Sequence, residues 1–410
     1  MLKNHNIICF GPSDWWTMNP SCATHIMQKL TETNKIIYVN PVSSDLLGIR
    51  GQKGLSIRIF RKLKSILKLV RKAGPHLYVV SPIFLPIQGV GFVDRINNKI
   101  IKTQIALIMF LLGMDKPILW VENVRCADII PTFRWKLVLY HVSDSFEDCP
   151  YTKNKKKLRL RGEFITKNSD LLVCVSSRLY EQKWKTNKNV HYLPHGVDFS
   201  FFRQAAKNNQ FYKNLKEIPH PVAGYFGTLT ALNDINLLEY CAINLPSIFF
   251  VFAGQITAGD YRGLRKLKNT IFLGKVPYWD IAQLCATFDV CLLPWKMTKW
   301  IVNCNPLKLF EYMASGKPIV SVPITEVVNN YSDVISIASD KKEFCQAIKW
   351  ELENDNIKRR QKRITIAQAN SWDNHNKRLS CIIQKSLRKK YAASKLDYPK
   401  LKKSVALTQR

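Results

Sequence analysis

The sequence predicts an α/β protein built as two doubly wound domains facing across a cleft. Three observations predict it. Short apolar runs alternate with amphipathic or polar stretches in both halves of the chain. These runs are nearly continuous in apolar residues, as parallel strands covered on both faces must be. The alternation pauses at a polar, aromatic-dotted stretch from Asp198 to Pro219 and then restarts, and 410 residues suffice for two separate cores.

In chain order, the first set of expected strands is Ile7 to Phe10, Ile36 to Val39, Leu77 to Val80, Ile118 to Val121, Leu137 to Tyr140, Leu171 to Val175 and Val190 to Leu193. Helical segments between them, such as Cys22 to Thr31 and Arg178 to Trp184, fit βαβ winding. The second set is Val222 to Phe226, Ser247 to Phe252, Thr270 to Leu273, Val290 to Leu293 and Pro318 to Val322, followed by polar helices from Lys341 to about Asn370. The expected division is a first domain over residues 1–200, a linker over 201–218, a second domain over 219–370 and a basic helix and tail over 371–410. The last of these carries Asp397 alone as an acid between Lys377 and Arg410.

Net charge is +32, far from the balance of an ordinary globular protein. It calls for an anionic partner: membrane lipid, nucleic acid or phosphorylated substrate. Eleven cysteines are scattered from Cys9 to Cys381 without a CxxC pair, which argues for reduced thiols in a cytosolic chain and against a disulfide frame or zinc site. The start, MLKNHNIICFGPSDWW, has too short an apolar run for a signal peptide. The longest apolar run, Ile105 to Met114, is well short of the ~20 residues that span a bilayer. The expectation is a soluble or peripheral protein.

Arg50 to Lys72 holds nine Lys or Arg and no acid. On a helix, Ile59, Phe60, Leu63, Ile66, Leu67 and Val70 fall on one face, with Arg58, Arg61, Lys62, Lys64, Lys68 and Arg71 around the other. That is the pattern of a helix lying in an anionic membrane interface, where each basic residue is worth ~1 kcal/mol. A packed helix with a solvated basic face has the same pattern. Lys153 to Arg161 and the basic tail extend the same kind of surface.

The chemistry concentrates between Asn303 and Pro323, NCNPLKLFEYMASGKPIVSVP. The segment reads as a helix capped by Asn305, with Pro306 at its first position and Gly316 ending it, then a buried strand. The amides of Leu307 and Lys308 would point out of the helix start, where an anion is favoured, and Lys308 adds a full positive charge. Glu311, one turn on, adds a carboxylate. Cation, free amides and one carboxylate suit a nucleotide diphosphate: charge for phosphates, an acceptor for ribose hydroxyls. An ordinary capped αβ unit would read the same way.

This segment resembles the nucleotide-sugar motif of the glycosyltransferases of family four, the group 1 type, which have the GT-B fold of two Rossmann-like domains. Glu311 matches the second Glu of the family's Glu-seven-Glu pattern, and Gly316-Lys317-Pro318-Ile319-Val320 matches its close. Asn303 stands where the family has its first Glu, keeping hydrogen-bonding capacity without charge. Gly224-Tyr225-Phe226-Gly227-Thr228 is similar to the family's Gly-rich turn, with Gly227 permitting close backbone approach. The basic pair that the family often has after that turn is absent here, which leaves the phosphates to Lys308, the helix-start amides and Lys296. Asn269 to Tyr278 is similar to the strand and loop along the base pocket, making Lys275 and Val276 candidates. Asp289 to Lys296 resembles the strand entering the donor loop.

In the first half, KLVLYHVSDSF places His141 just past a strand end, with Asp144 matching a YxxxD pattern of teichuronic-acid and exopolysaccharide transferases. A loop histidine and turn-forming Asp144 and Asp148 are the structural alternative. VHYLPHGVDFSFF resembles the family's hinge segment, with His195 in place of Asn. Gly11-Pro12-Ser13-Asp14 follows the first strand, and related folds bind acceptor there.

The resemblance implies a transferase that moves a sugar from a nucleotide-diphosphate donor to a lipid-linked or polysaccharide acceptor at the inner membrane face. It implies retention of configuration, with no metal or other cofactor. The expected roles are Lys308 and His141 at the reaction centre, with Gly227, Thr228, Lys275, Val276, Asn303, Leu307 and Glu311 on the donor. Ser13, Asp14, Asp144 and His195 fall on the acceptor side. Three other readings remain: a nucleotide-sugar epimerase of the same architecture, a basic nucleic-acid-binding protein, and a non-catalytic sugar-nucleotide binder. No GxGxxG favours a dehydrogenase, and no recognition-helix motif favours nucleic acid.

Overall fold

The computed structural model describes residues 1–16, 20–41, 69–85, 91–152, 154–208, 211–215 and 217–407, with side chains to residue 392. The strands of the first sheet are β1 (Asn6–Phe10), β2 (Lys35–Val39), β3 (Val70–Gly74), β4 (Leu77–Val80), β5 (Ile118–Val121), β6 (Leu137–Val142), β7 (Leu171–Cys174) and β8 (Val190–Tyr192). They lie in the order β3-β4-β2-β1-β5-β6-β7-β8, all parallel except the β3–β4 pair. The second sheet holds β9 (Val222–Phe226), β10 (Phe249–Ala253), β11 (Thr270–Gly274), β12 (Val290–Leu293), β13 (Ile319–Ser321) and β14 (Ser336–Ile337). Its order is β11-β10-β9-β12-β13-β14, parallel throughout.

Both sheets are doubly wound, and their strands read as apolar runs because helices cover both faces. The first sheet has a core on each side. Ile8, Val138 and Tyr140 point into one, and Ile7, Leu137 and Leu139 into the other. The second sheet shares one continuous core with its helices. In each sheet the strand order reverses once, between β1 and β5 and between β9 and β12. Open α/β sheets leave a crevice beyond the strand ends at such a point. Ser13 and Asp14 follow β1, and Gly227 and Thr228 follow β9, so these candidates stand at the two crevices.

Several sequence expectations change here. The segment read as a linker holds the helix Phe199–Lys207, capped by the Asp198 side chain, and its Phe202, Ala205 and Ala206 belong to the second core. Its aromatic residues, which look out of place in a linker, are the packing face. The helix Trp372–Leu407 returns to the first sheet, where Trp372, Leu379 and Ile383 pack with Ile7, Trp120 and Leu139. The proposed basic helix of Arg50 to Lys72 lies outside the described residues up to 68, as does Lys153. Its last part, Val70 to Lys72, is not helical but forms β3 against β4. Both β3 and the two-residue β14 were too short or too charged to stand out as apolar runs. Among the described residues no helix is long and apolar enough to cross a membrane.

Candidate functional site

Three strand ends of the second sheet finish in glycine: Gly227 after β9, Gly254 after β10 and Gly274 closing β11. The Gly227 amide donates to Ala253 O at 2.8 Å and the Gly254 amide to Gly274 O at 2.7 Å. A Cβ on Gly254 would lie 1.9 Å from Gly227 O. Only glycines let these backbones meet. The result is a floor of main chain at the crevice of the second sheet.

The helix Leu307–Ser315 begins above this floor. Its start differs from the sequence reading. Pro306, with ψ 120°, occupies the capping position and makes no side-chain cap bond. Asn305 does not cap. Its amide nitrogen instead donates to Val175 O at the end of β7, 2.8 Å away, because the extended Pro306 turns Asn305 toward the first domain. Among the described hydrogen bonds none takes the Leu307 or Lys308 amide, so both are free to meet an anion.

Lys308 leans back over Gly227. A Cβ placed on Gly227 would meet Lys308 Cε at 2.3 Å and Nζ at 2.7 Å. The ammonium lies 5.7 Å from the centroid of Tyr225 and 5.6 Å from that of Trp295, the residue after Pro294 beyond β12. These ring faces hold the cation over the switch point without neutralising it. Glu311 stands one turn along the same helix face. Burial raises its carboxyl to about 7, with Lys308 pulling the other way. Tyr278 lies close by, its hydroxyl pushed up by burial and then by the Glu311 charge. Thr228 and Lys275 are exposed beside the glycine floor, whereas Val276 is buried in the second core. Leu307 packs against the first domain's core.

Asn303 ends the short helix Lys299–Asn303 and is buried in a polar seam between the two domains. Its Nδ2 donates to Asp148 Oδ2 at 3.2 Å, its Oδ1 accepts from Gln182 Nε2 at 3.2 Å, and its carbonyl accepts from Ser176 Oγ at 2.7 Å. The side chain expected to face a donor sugar is thus engaged in holding the seam. Lys299 pairs with Asp148 at 3.2 Å, and Trp300 Nε1 donates to Asp144 Oδ1. Desolvation raises Asp144 to about 7, against the hydrogen bonds it accepts from Trp300 and the Ser145 amide. Ser177 and Tyr192 of the first domain both donate to Glu326 of the second.

His141 is not beyond the strand. It is inside β6 and fully buried. Its Nδ1 lies 2.7 Å from Glu122 Oε1, which also accepts from Trp120 Nε1 at 3.0 Å. The sequence reading missed Glu122 because it sits in an apolar strand context, LWVEN. His195 is also buried, with Nδ1 3.4 Å from Cys22 Sγ, and desolvation drops it to about 3. His375, on the returning helix, is buried beside them and lowered by burial, then by the two histidines. Among the described residues no hydrogen-bond partner reaches His141 Nε2, either ring nitrogen of His375, or the side-chain amide of Asn376. On the acceptor side, Ser13 O accepts from Tyr38 at 2.8 Å and Asp14 Oδ1 takes the Trp16 amide at 2.8 Å. Lys308, Gly227, Thr228 and Glu311 therefore come together, while His141 and His195 lie in a separate interior cluster. Tyr225, Trp295 and Gly254 complete the first group. The sequence reading passed over Gly254 and Trp295; only Gly254, the glycine directly after the apolar run FFVFA, carried a local signal that could have found it.

Residues 222–354, most of the second domain, match the family described as "Glycosyl transferases group 1". The chain is 25% identical over 204 residues to the teichuronic acid biosynthesis glycosyltransferase TuaH of Bacillus subtilis (strain 168). That alignment covers 46% of this chain and 51% of the relative, so it spans about half of the relative's length. Among solved structures, sucrose-phosphate synthase from Thermosynechococcus elongatus superposes with a TM-score of 0.69 at 12% identity, over 95% of this chain and 100% of that one. Anabaena Alr3699/HepE in complex with UDP-glucose superposes with a TM-score of 0.65 at 12% identity, over 93% and 99%. At such identities the superpositions speak to the fold alone. The second domain thus matches the group 1 glycosyl transferases, and the chain as a whole has the two-domain GT-B fold of these solved structures.

Proposed function

We propose that this protein moves a sugar from a nucleotide-diphosphate donor to a lipid-linked or glycan acceptor in cell-surface polysaccharide synthesis. The observation that carries the reading is Lys308 held over Gly227 at the crevice of the second sheet, with two free helix-start amides beside it. Negative charge builds on the leaving diphosphate during transfer. A cation and amides already aimed at that point stabilise it without reorganising. Glu311, one turn on, accepts from ribose hydroxyls. Lys308 fills the role of the absent basic pair, and Tyr225 and Trp295 set its position.

The part of TuaH in teichuronic acid biosynthesis and the UDP-glucose bound by HepE are consistent with this reading and suggest a UDP-sugar. Family resemblance implies retention of configuration without a metal or other cofactor. The reading includes a cytoplasmic protein attached peripherally to the inner membrane face, where a lipid-linked acceptor would be presented. The test is a panel of UDP-, GDP- and dTDP-sugars assayed by thermal shift and by slow diphosphate release. Stabilisation by one nucleotide family with release of its diphosphate is expected. No response to any of them overturns the reading.

A further inference from the structure

The helix Gly91–Leu111 covers one face of the first sheet, with Ile105 and Ile108 in the core beneath. Its outer face is unusual. Phe92 is 71% exposed, Leu107 53%, Phe110 82% and Leu111 70%. Large apolar side chains are rarely left this open together unless something covers them. Arg95 and Lys99 are exposed on the same outer stripe, with Lys102 half-buried beside it.

The neighbouring helix Lys155–Asn168 packs on the same core through Ile165. The two helices are tied together: Lys157 pairs with Asp94 at 2.9 Å, and Asp128 accepts from Asn98 at 3.0 Å and from Arg161 at 2.8 Å. Both therefore cover the same side of the sheet. The second helix leaves Leu160 and Phe164 exposed one turn apart, among Lys155, Lys156, Arg159 and Lys167. Across the two helices stand nine Lys or Arg and only Asp94 and Glu163 as acids.

We propose that this face docks on an anionic lipid bilayer, with Phe92, Leu107, Phe110 and Leu111 entering the interface and the flanking Lys and Arg meeting lipid phosphates. An apolar stripe alone would suit a second copy of the chain equally well. The surrounding positive charge does not, because two such faces repel each other, whereas an anionic membrane satisfies both features. Lysine and arginine stems can lie along the apolar surface while their heads reach the phosphates. The proposal deepens the peripheral-membrane part of the reading above and does not depend on the donor site.

The test is co-sedimentation of the full chain with vesicles of phosphatidylcholine alone and with added phosphatidylglycerol, for the wild type, the Phe110→Glu/Leu111→Glu variant and the Arg95→Glu/Lys99→Glu variant. Wild type is expected to bind only the anionic vesicles. Each variant is expected to lose about tenfold or more in binding, while nucleotide-sugar thermal shifts stay at wild-type values. Wild-type binding by both variants, or no wild-type binding to anionic vesicles, overturns the proposal. So does a wild-type dimer by light scattering that becomes monomeric in Phe110→Glu/Leu111→Glu, since the face would then be a self-interface. Loss of the nucleotide shift with vesicle binding intact would count against the donor reading instead.

Discussion

Lys308 occupies the space that a side chain on Gly227 would need, its Cε 2.3 Å and Nζ 2.7 Å from that position. The two residues are 81 positions apart, and their meeting joins the first strand of the second sheet to the start of the helix Leu307–Ser315. Gly227 also has φ +133°, a backbone conformation open to glycine and costly for other residues.

Gly227→Ala is therefore expected to act in two ways. The backbone strain should lower stability by about 1–3 kcal/mol, read as a lower Tm. The methyl group should also push the Lys308 ammonium off the crevice and weaken donor binding. A variant with wild-type Tm and wild-type donor affinity would show that the close approach is immaterial.

Lys308→Ala removes the cation but leaves the helix in place, since Leu309, Phe310 and Met313 hold it in the core. The expected result is a fall in turnover of about 10²-fold or more with little change in Tm. Lys308→Arg restores charge but not the compact ammonium between two rings, so only partial recovery is expected. An unchanged rate in Lys308→Ala would remove this residue from the site.

Glu311 and Asp144 are each raised to about 7 by burial. Between the ordinary carboxylate range and pH 7 the folded chain holds protons that the unfolded chain has lost. Stability attributable to these groups is thus greatest in acid and declines as pH rises toward 7. Urea denaturation of wild type against Glu311→Gln, from pH 5 to 8, should show the variant gaining relative stability as pH rises. A constant difference across that range would contradict the raised carboxyl.

His375 is buried, and among the described residues neither ring nitrogen has a hydrogen-bond partner. Its pKa is lowered, so below pH 6.5 the unfolded chain takes up a proton that the folded chain does not, and stability falls as pH drops. His375→Leu relieves an unmet polar group worth about 1–3 kcal/mol and removes its share of the acid sensitivity. Denaturation at pH 5 and pH 7 should show a larger gain at pH 5. A destabilised variant would mean the ring is satisfied within the cluster with His141, His195 and Asn376.

The fold was legible because twelve of its strands are apolar runs whose burial on both faces leaves no alternation to misread. Lys308, Glu311 and Gly227 were legible because helix starts and strand-end glycines carry their chemistry locally. The errors fall where tertiary contacts decide. Asn303 and Asn305 read as a sugar contact and a cap, but the approach of the first domain draws their amides to Asp148, Gln182 and Val175. His141 read as a loop residue, although β6 runs two residues beyond Tyr140 and buries it. Phe199 to Lys207 read as linker because half its face is polar, and only the second core reveals the other half. No local pattern marks Trp295 as a partner of Lys308, since the pairing arises from the neighbouring places of β9 and β12 in the sheet.

The measurement closest to the central claim is diphosphate release from a UDP-sugar panel by wild type and Lys308→Ala, with thermal shift by the same compounds. The account predicts that wild type is stabilised by one nucleotide family and slowly hydrolyses its sugar, and that Lys308→Ala folds normally but loses about 10²-fold or more of that release. Equal release by the two proteins, or stabilisation of neither by any nucleotide sugar, would contradict a donor site at Lys308 and Gly227.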